Sequence, residues 1–264
     1  MAPVEPAKRV NPSNSPTIEI CVDAVDSALA AQHGGAQRVE LCSNLLEGGV
    51  TPSAGLIATV LKSVSIPVQV MVRPRGGDFC YSRDEYDVMK QDVLTAKSLR
   101  AHGAVFGLLR PDGTVDVERT RELVELARPL PVTFHRAFDV CPDLAGALED
   151  VIGTGADWVL TSGGASSALA GVESLARLVK TGAGRITILA GGGINHKNAR
   201  EVVEKTGVHE LHAGLRSVTP SRAMQSGKNI SPRGTGLDET QRFVVLQEDV
   251  EKLARALISR DRIH

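Results

Sequence analysis

Aromatic side chains are scarce: five Phe, two Tyr and one Trp make up 3% of the 264 residues. So few rings offer no base-stacking platform for single-stranded nucleic acid. Positive charge is not in excess either, since 30 Lys and Arg face 31 Asp and Glu for a formal net charge of −1. With a pI of about 6.7, the chain lacks the basic field that draws a protein to duplex nucleic acid. The four cysteines have no CxxC spacing, which argues against a zinc ribbon or a disulfide scaffold. No uninterrupted apolar run approaches a membrane span. The opening MAPVEPAKRVNPSNSPT is polar and proline-rich with no apolar signal-peptide region, so residues 1–16 read as a disordered leader. The expected location is cytoplasmic, extending to the nucleus, with reduced thiols.

What the chain does have is glycine, 26 residues of it, and short apolar runs within a 42% hydrophobic composition. Strand patterns fall near 17–22, 37–42, 67–73, 105–109, 131–136, 157–161, 185–190 and 209–213. Helical patterns lie between them near 25–33, 53–64, 83–101, 116–127, 143–152, 168–180 and 195–205, with a last one over 239–259. Several helices end on glycine and re-enter a strand at once, as at Gly34-Gly35-Ala36, Gly155-Ala156-Asp157 and Gly207-Val208. Glycine accepts the left-handed conformation that stops a helix. Eight strands alternating with eight helices predict an α/β fold, a single-domain (β/α)8 TIM barrel over 17–260. A doubly wound open sheet is disfavoured because no GxGxxG opens the first βα unit.

Three of these strands share a pattern: Ile18-Glu19-Ile20-Cys21, Val39-Glu40-Leu41-Cys42 and His209-Glu210-Leu211-His212. A strand alternates faces with a period of two, so each Glu points the same way as its Cys or His. In a closed barrel, strand 8 lies beside strand 1 and strand 1 beside strand 2. The three motifs are then neighbours, with Cys and His toward the C-terminal ends where barrel enzymes place their chemistry. Glu19, Glu40 and Glu210 need partners if buried, and Arg73 and Arg136 are candidates across the interior. Such a set is either a substrate site or a structural ion-pair layer. His135 and Arg136 are successive strand residues, and only one of them can face inward.

The same rim collects Arg73-Pro74-Arg75-Gly76-Gly77, His135-Arg136, Thr161-Ser162-Gly163-Gly164 and Gly191-Gly192-Gly193-Ile194-Asn195. Glycine turns ahead of helices expose N–H groups that can cradle an anion, and barrels often bind phosphate after strands 7 and 8. Ser162, Gly163, Gly192 and Gly193 are therefore anion-binding candidates, with Arg73 and Arg75 as a clamp. The alternative is tight βα turns that need positive φ.

Taken in order, ICVDAVDSALAAQHGGAQRVELCS, EGGVTPSAG, VRPRGGDFCYS, VFGLLRPDGTVD, PVTFHRAFD, LTSGG, GGGI and ELHAG resemble the CutC family of copper-homeostasis proteins. The resemblance covers most of 18–220 and fades beyond Ser217, leaving the role of the 217–238 loop open. It implies a cytoplasmic, homo-oligomeric barrel that binds copper, with Cys21 and Cys42 matching the Cu(I) cysteines of animal members. Soft thiolates suit Cu(I), and His212 is a possible third ligand. Small buried core cysteines are the competing reading of the same residues. Cys80 and Cys141, in loops, are expected to be incidental. The second functional reading is a barrel enzyme on a small phosphorylated or carboxylated metabolite, with Glu40, His135 or His212 moving protons.

Overall fold

The computed structural model describes residues 15–220 and 241–258. All but the last two residues of the leader expected over 1–16, and most of the 217–238 loop, therefore lie outside the described residues. Eight parallel strands close into a barrel in the order β1 to β8: β1 (Thr17–Val22), β2 (Arg38–Leu41), β3 (Val68–Met71), β4 (Gly103–Phe106), β5 (Val132–Phe134), β6 (Trp158–Thr161), β7 (Thr187–Gly191) and β8 (Glu210–Ala213). The crossovers are helices: α1 (Val25–His33), α2 (Ala54–Ser63), α3 (Arg83–Ser98), α4 (Val117–Ala127), α5 (Leu144–Thr154), α6 (Val172–Gly182) and α7 (Ala199–Thr206). The (β/α)8 barrel expected from the alternation is the fold observed.

Side-chain alternation divides each strand between two cores. Ile18, Ile20 and Val22 of β1, Val39 and Leu41 of β2, and Val68 and Val70 of β3 pack in the main cluster against the helices. The intervening positions face the lumen, where Cys21, Cys42, Met71 and Val105 form a small cluster of their own. Helix starts are fixed by side chains. Ser82 caps α3 in a reciprocal box with Glu85, and Asp116 and Asp143 accept from the first turns of α4 and α5. A capped start of this kind stabilises a helix by about 1 kcal/mol.

The C-terminal region departs from the sequence expectation. Where one helix was expected over 239–259, β10 (Gln241–Val245) pairs antiparallel with β9 (Arg216–Pro220) before α8 (Gln247–Leu257) begins. Phe243-Val244-Val245 is an aromatic and β-branched run that prefers a pleated surface. The helix starts only at Gln247, and its buried face is Val250, Leu253 and Leu257. The ends of β3, β4 and β5 also differ from expectation, because the residues beyond Met71, Phe106 and Phe134 have already turned into loops.

Candidate metal centre

Strand register puts the three acidic strands into one side of the lumen. Glu19 lies opposite Arg38 and Cys21 opposite Glu40 across β1 and β2. On the other flank, Glu19 lies opposite His212. Cys42 follows directly on β2, its N–H donating to the Val22 carbonyl. The two thiols converge, with Cys21 Sγ 3.7 Å from Cys42 Sγ. Glu40 Oε2 lies 3.2 Å from Cys21 Sγ and 3.5 Å from Cys42 Sγ. Cys42 is fully buried and Cys21 is 8% exposed. Met71 and Val105 complete this cluster, with Leu45 packed on it. Gly49 matters here twice: its φ of +90° favours glycine, and a Cβ would stand 3.0 Å from the Cys42 sulfur.

Beside the thiols is an ionic network. His212 Nδ1 lies 2.8 Å from Glu19 Oε1 and its Nε2 3.8 Å from Glu40 Oε2. Arg38 Nε donates to Glu19 Oε2, and Arg38 NH2 donates to Glu210 Oε2 at 2.7 Å. Trp158 Nε1 donates to Glu210 Oε1 at 3.0 Å, and the Arg38 guanidinium sits 5.0 Å over the Trp158 ring. Burial alone would raise the Glu19 pKa, but the Arg38 charge and the His212 contact hold it at about 2. Burial works against a charged His212, yet Glu40, Cys21 and Glu19 together push its pKa well up. A hydrogen bond from Cys42, working against burial and helped by His212, brings the Cys21 thiol down to about 5. Burial, joined by the Cys21 charge, raises Glu40. The same shared hydrogen bond and burial raise Cys42. Of the two thiols, Cys21 is thus the one biased toward thiolate and Cys42 the one biased toward thiol, beside a His212 whose positive form is favoured.

Two sets of potential ligands share Glu40: Cys21, Glu40 and Cys42, and Glu19, Glu40 and His212. In each, the ligand atoms lie within 4.8 Å of one another. The second set is already committed, because Glu19 is held by Arg38 and a metal there would have to break that pair. The first set carries two sulfurs walled by apolar side chains. It suits a soft ion.

The remaining candidates are placed elsewhere. Glu19 and Glu210 meet Arg38, on their own side of the lumen, while Glu40 faces the thiols and His212, and neither Arg73 nor Arg136 is among their ion-pair partners within the described residues. Arg73 instead donates to the carbonyls of Glu47, Gly49 and Gly77. Arg136 turns outward, 43% exposed, to Asp139, while His135 takes the inward position and is buried. Arg75 does not join Arg73 as a clamp, since it pairs with Asp78 and Glu85.

In the turn after β6, the N–H groups of Ser162 and Gly164 donate to Asp139, and that of Gly163 donates to Thr161 Oγ1. An internal carboxylate thus takes the place expected for a bound anion. Gly163, Gly192 and Gly193 all have positive φ, as tight βα turns require. After β7, the Gly193 carbonyl accepts from both Asn195 and Asn198. An open cleft at this rim does not reach Gly163. It lies between Gly193, Asn195, Gly214, Arg216 and Phe243. Cys80 and Cys141 sit apart from the thiol pair: Cys80 contacts the Arg110 carbonyl and Cys141 the Ala137 carbonyl.

Three residues escaped the sequence reading. Arg38 shares the alternation of Glu40 and Cys42, so the period-two rule alone would have placed it beside them. Met71 likewise follows from alternation on β3. Asp139 could not have been found this way, because it enters from the short 3-10 turn Arg136–Val140 after β5.

The comparisons with known proteins bear on the family and the fold. The CutC family profile matches residues 16–217. The human copper homeostasis protein cutC homolog is 49% identical over 216 residues, covering 82% of this chain and 79% of the human one. A CutC family protein of Vibrio cholerae is 49% identical over 209 residues, covering 78% of this chain and 82% of its own. The crystal structure assigned to copper homeostasis protein CutC of Streptococcus agalactiae superposes with a TM-score of 0.72 at 32% identity, covering 75% of this chain and 97% of that one. With the profile spanning most of the barrel and the thiol-bearing strands inside the matched span, the chain belongs to the CutC family.

Proposed function

We propose that this CutC protein binds one Cu(I) ion between Cys21 and Cys42 and serves copper homeostasis in the cytoplasm, as a homo-oligomer. The observation that carries the reading is the pair of sulfurs 3.7 Å apart on neighbouring strands, in a cluster shared with the thioether of Met71. At metal–sulfur bonds of about 2.3 Å, sulfurs on one tetrahedral ion stand ~3.8 Å apart and on a linear one ~4.6 Å. The observed spacing supports a bent arrangement that needs a third ligand. Met71 supplies a soft one and Glu40 Oε2 a hard one. Low thiol pKa favours metal binding at neutral pH, because only the thiolate is a ligand, and His212 provides the positive charge that stabilises it. The copper, as cargo, requires no catalysis from these residues.

Anaerobic competition against a Cu(I) chelator tests this reading. The wild-type protein is expected to take up one equivalent. Cys21→Ser and Cys42→Ser should each weaken binding by about 100-fold or more, since even the groups that merely orient a metal ligand are worth about 10–100-fold. Cys80→Ser and Cys141→Ser should bind as the wild type does. Unchanged affinity in both Cys21→Ser and Cys42→Ser would sink the proposal.

A further inference from the structure

Away from the thiol pair, the rim over β3 to β5 gathers buried N–H and O–H groups that have no acceptor. Arg73 is 4% exposed. Its terminal nitrogens are engaged by backbone carbonyls, at 2.8 Å to Glu47, 2.9 Å to Gly49 and 2.8 Å to Gly77. Its Nε has no hydrogen-bond partner among the described residues. His135 is also 4% exposed. Its Nδ1 accepts the Ala137 N–H at 3.2 Å, so the ring proton sits on Nε2, where again no partner is found among the described residues. Burial, and then the Arg73 charge, hold this imidazole neutral, with a pKa of about 3. The hydroxyl of Tyr81 stands against the Arg73 guanidinium, whose positive charge it faces, and its own proton has no acceptor within hydrogen-bond distance among the described residues.

These three groups belong to one patch. Phe79 joins them, with the Arg73 guanidinium 4.9 Å from its ring centroid and the His135 ring also at 4.9 Å. Gly107, on the strand end between them, leaves room for the imidazole, since a Cβ there would stand 2.5 Å from His135 Nδ1. His135 therefore reaches across β4 toward β3. Buried donors left without an acceptor are rare because their desolvation is uncompensated. Here two N–H donors and a hydroxyl border one patch, and one belongs to a permanent cation. A metal ion is excluded by that charge, and an apolar group would leave the donors unpaired. The complement is a small group rich in acceptors and negative in charge.

We propose that Arg73 Nε, His135 Nε2 and Tyr81 Oη form a binding site for an oxyanion, the carboxylate or phosphate group of a small metabolite. This site is separate from the thiol pair and does not rest on the copper reading. It draws its donors from the loop after β3 and the turn after β5, and the glycine turns after β6 and β7 take no part in it.

The test is a titration of the full-length protein, followed by the ring nitrogen resonances of His135, with inorganic phosphate and with acetate at matched ionic strength, using chloride as control. Saturable shifts of His135 Nε2 with phosphate or with acetate, and none with chloride, are expected. Whichever anion binds identifies the class. Tyr81→Phe removes only a hydroxyl and should weaken binding about fivefold, the worth of one hydrogen bond. His135→Phe keeps a ring at the position and should weaken it at least as much, now read by calorimetry. Saturable binding that neither variant alters would overturn the proposal. So would the absence of saturable binding by both anions, or a crystal structure grown in phosphate with ordered water alone on Nε of Arg73 and Nε2 of His135.

Discussion

At the scale of single residues, the lumen is organised by which carboxylates have a cation and which do not. Glu19 has two, Arg38 and His212, and its pKa is depressed to about 2 from an ordinary 4.5. A carboxylate depressed in the folded state contributes stability above its ordinary value and loses it as pH falls through the folded one. Wild-type stability should therefore decline between pH 4.5 and about 2, and Glu19→Gln should flatten that part of the profile. His212 has the opposite sign. Its raised value stabilises the fold fully below 6.5, and that contribution is lost as pH climbs past it. His212→Gln should remove this alkaline loss. At neutral pH, Glu19→Gln leaves Arg38 short of its buried partner, so a cost of about 3–5 kcal/mol is expected from chemical denaturation. A cost below 1 kcal/mol, within the range of a surface pair, would mean that water reaches Arg38 and the network is open.

At the scale of elements, the alternation of Glu19 with Cys21 and of Glu40 with Cys42 was legible because strand geometry leaves no choice of face. The closeness of the two sulfurs was not, since it depends on barrel stagger and on side chains leaning along their strands. Cys21 lies opposite Glu40 in the register, so Cys42 is two residues farther along. With strands ~4.8 Å apart and a rise of ~3.3 Å per residue, the two Cα atoms are ~8 Å apart. Disulfides rarely bridge more than ~6.8 Å. The strands thus bring two sulfurs within reach of one ion while disfavouring a bond between them. Mild peroxide treatment of the metal-free protein, followed by non-reducing peptide mapping, should yield no Cys21–Cys42 cross-link while the circular dichroism stays native. Rapid cross-linking without loss of structure would show that β1 and β2 slide more freely than a closed barrel allows. The same limits explain the β9–β10 hairpin: composition favoured strand at Phe243-Val244-Val245, but the expected helix ran straight through it because its partner is contributed from more than 20 residues upstream.

For the whole molecule, the lumen separates into a lower layer in which Arg38, Glu19, Glu210 and His212 satisfy one another and an upper rim whose donors are unpaired among the described residues. Arg38 makes the lower layer continuous: from β2 it reaches Glu19 on β1, Glu210 on β8 and the face of Trp158 on β6, the strand opposite β2 in the closed sheet. The existence of a polar lumen was legible in the three acidic strands, but its pairing was not. Charge complementarity alone made Arg73 and Arg136 equally good partners, and only the closed barrel shows that Arg38 is nearer. Thermal and denaturant melts of two mutant cycles separate these pairings. Arg38→Met and Glu19→Gln share a direct contact and should be non-additive by about 0.5–3 kcal/mol. Glu40→Gln and Arg73→Met share none, so their costs should add to within about 0.5 kcal/mol. Coupling between Glu40 and Arg73 as large as that between Arg38 and Glu19 would mean that the rim and the lower layer are one network. A ligand bound by Arg73 would then alter the thiol pair. Additivity would leave the sulfur cluster and the Arg73–His135 patch as independent sites on the same barrel.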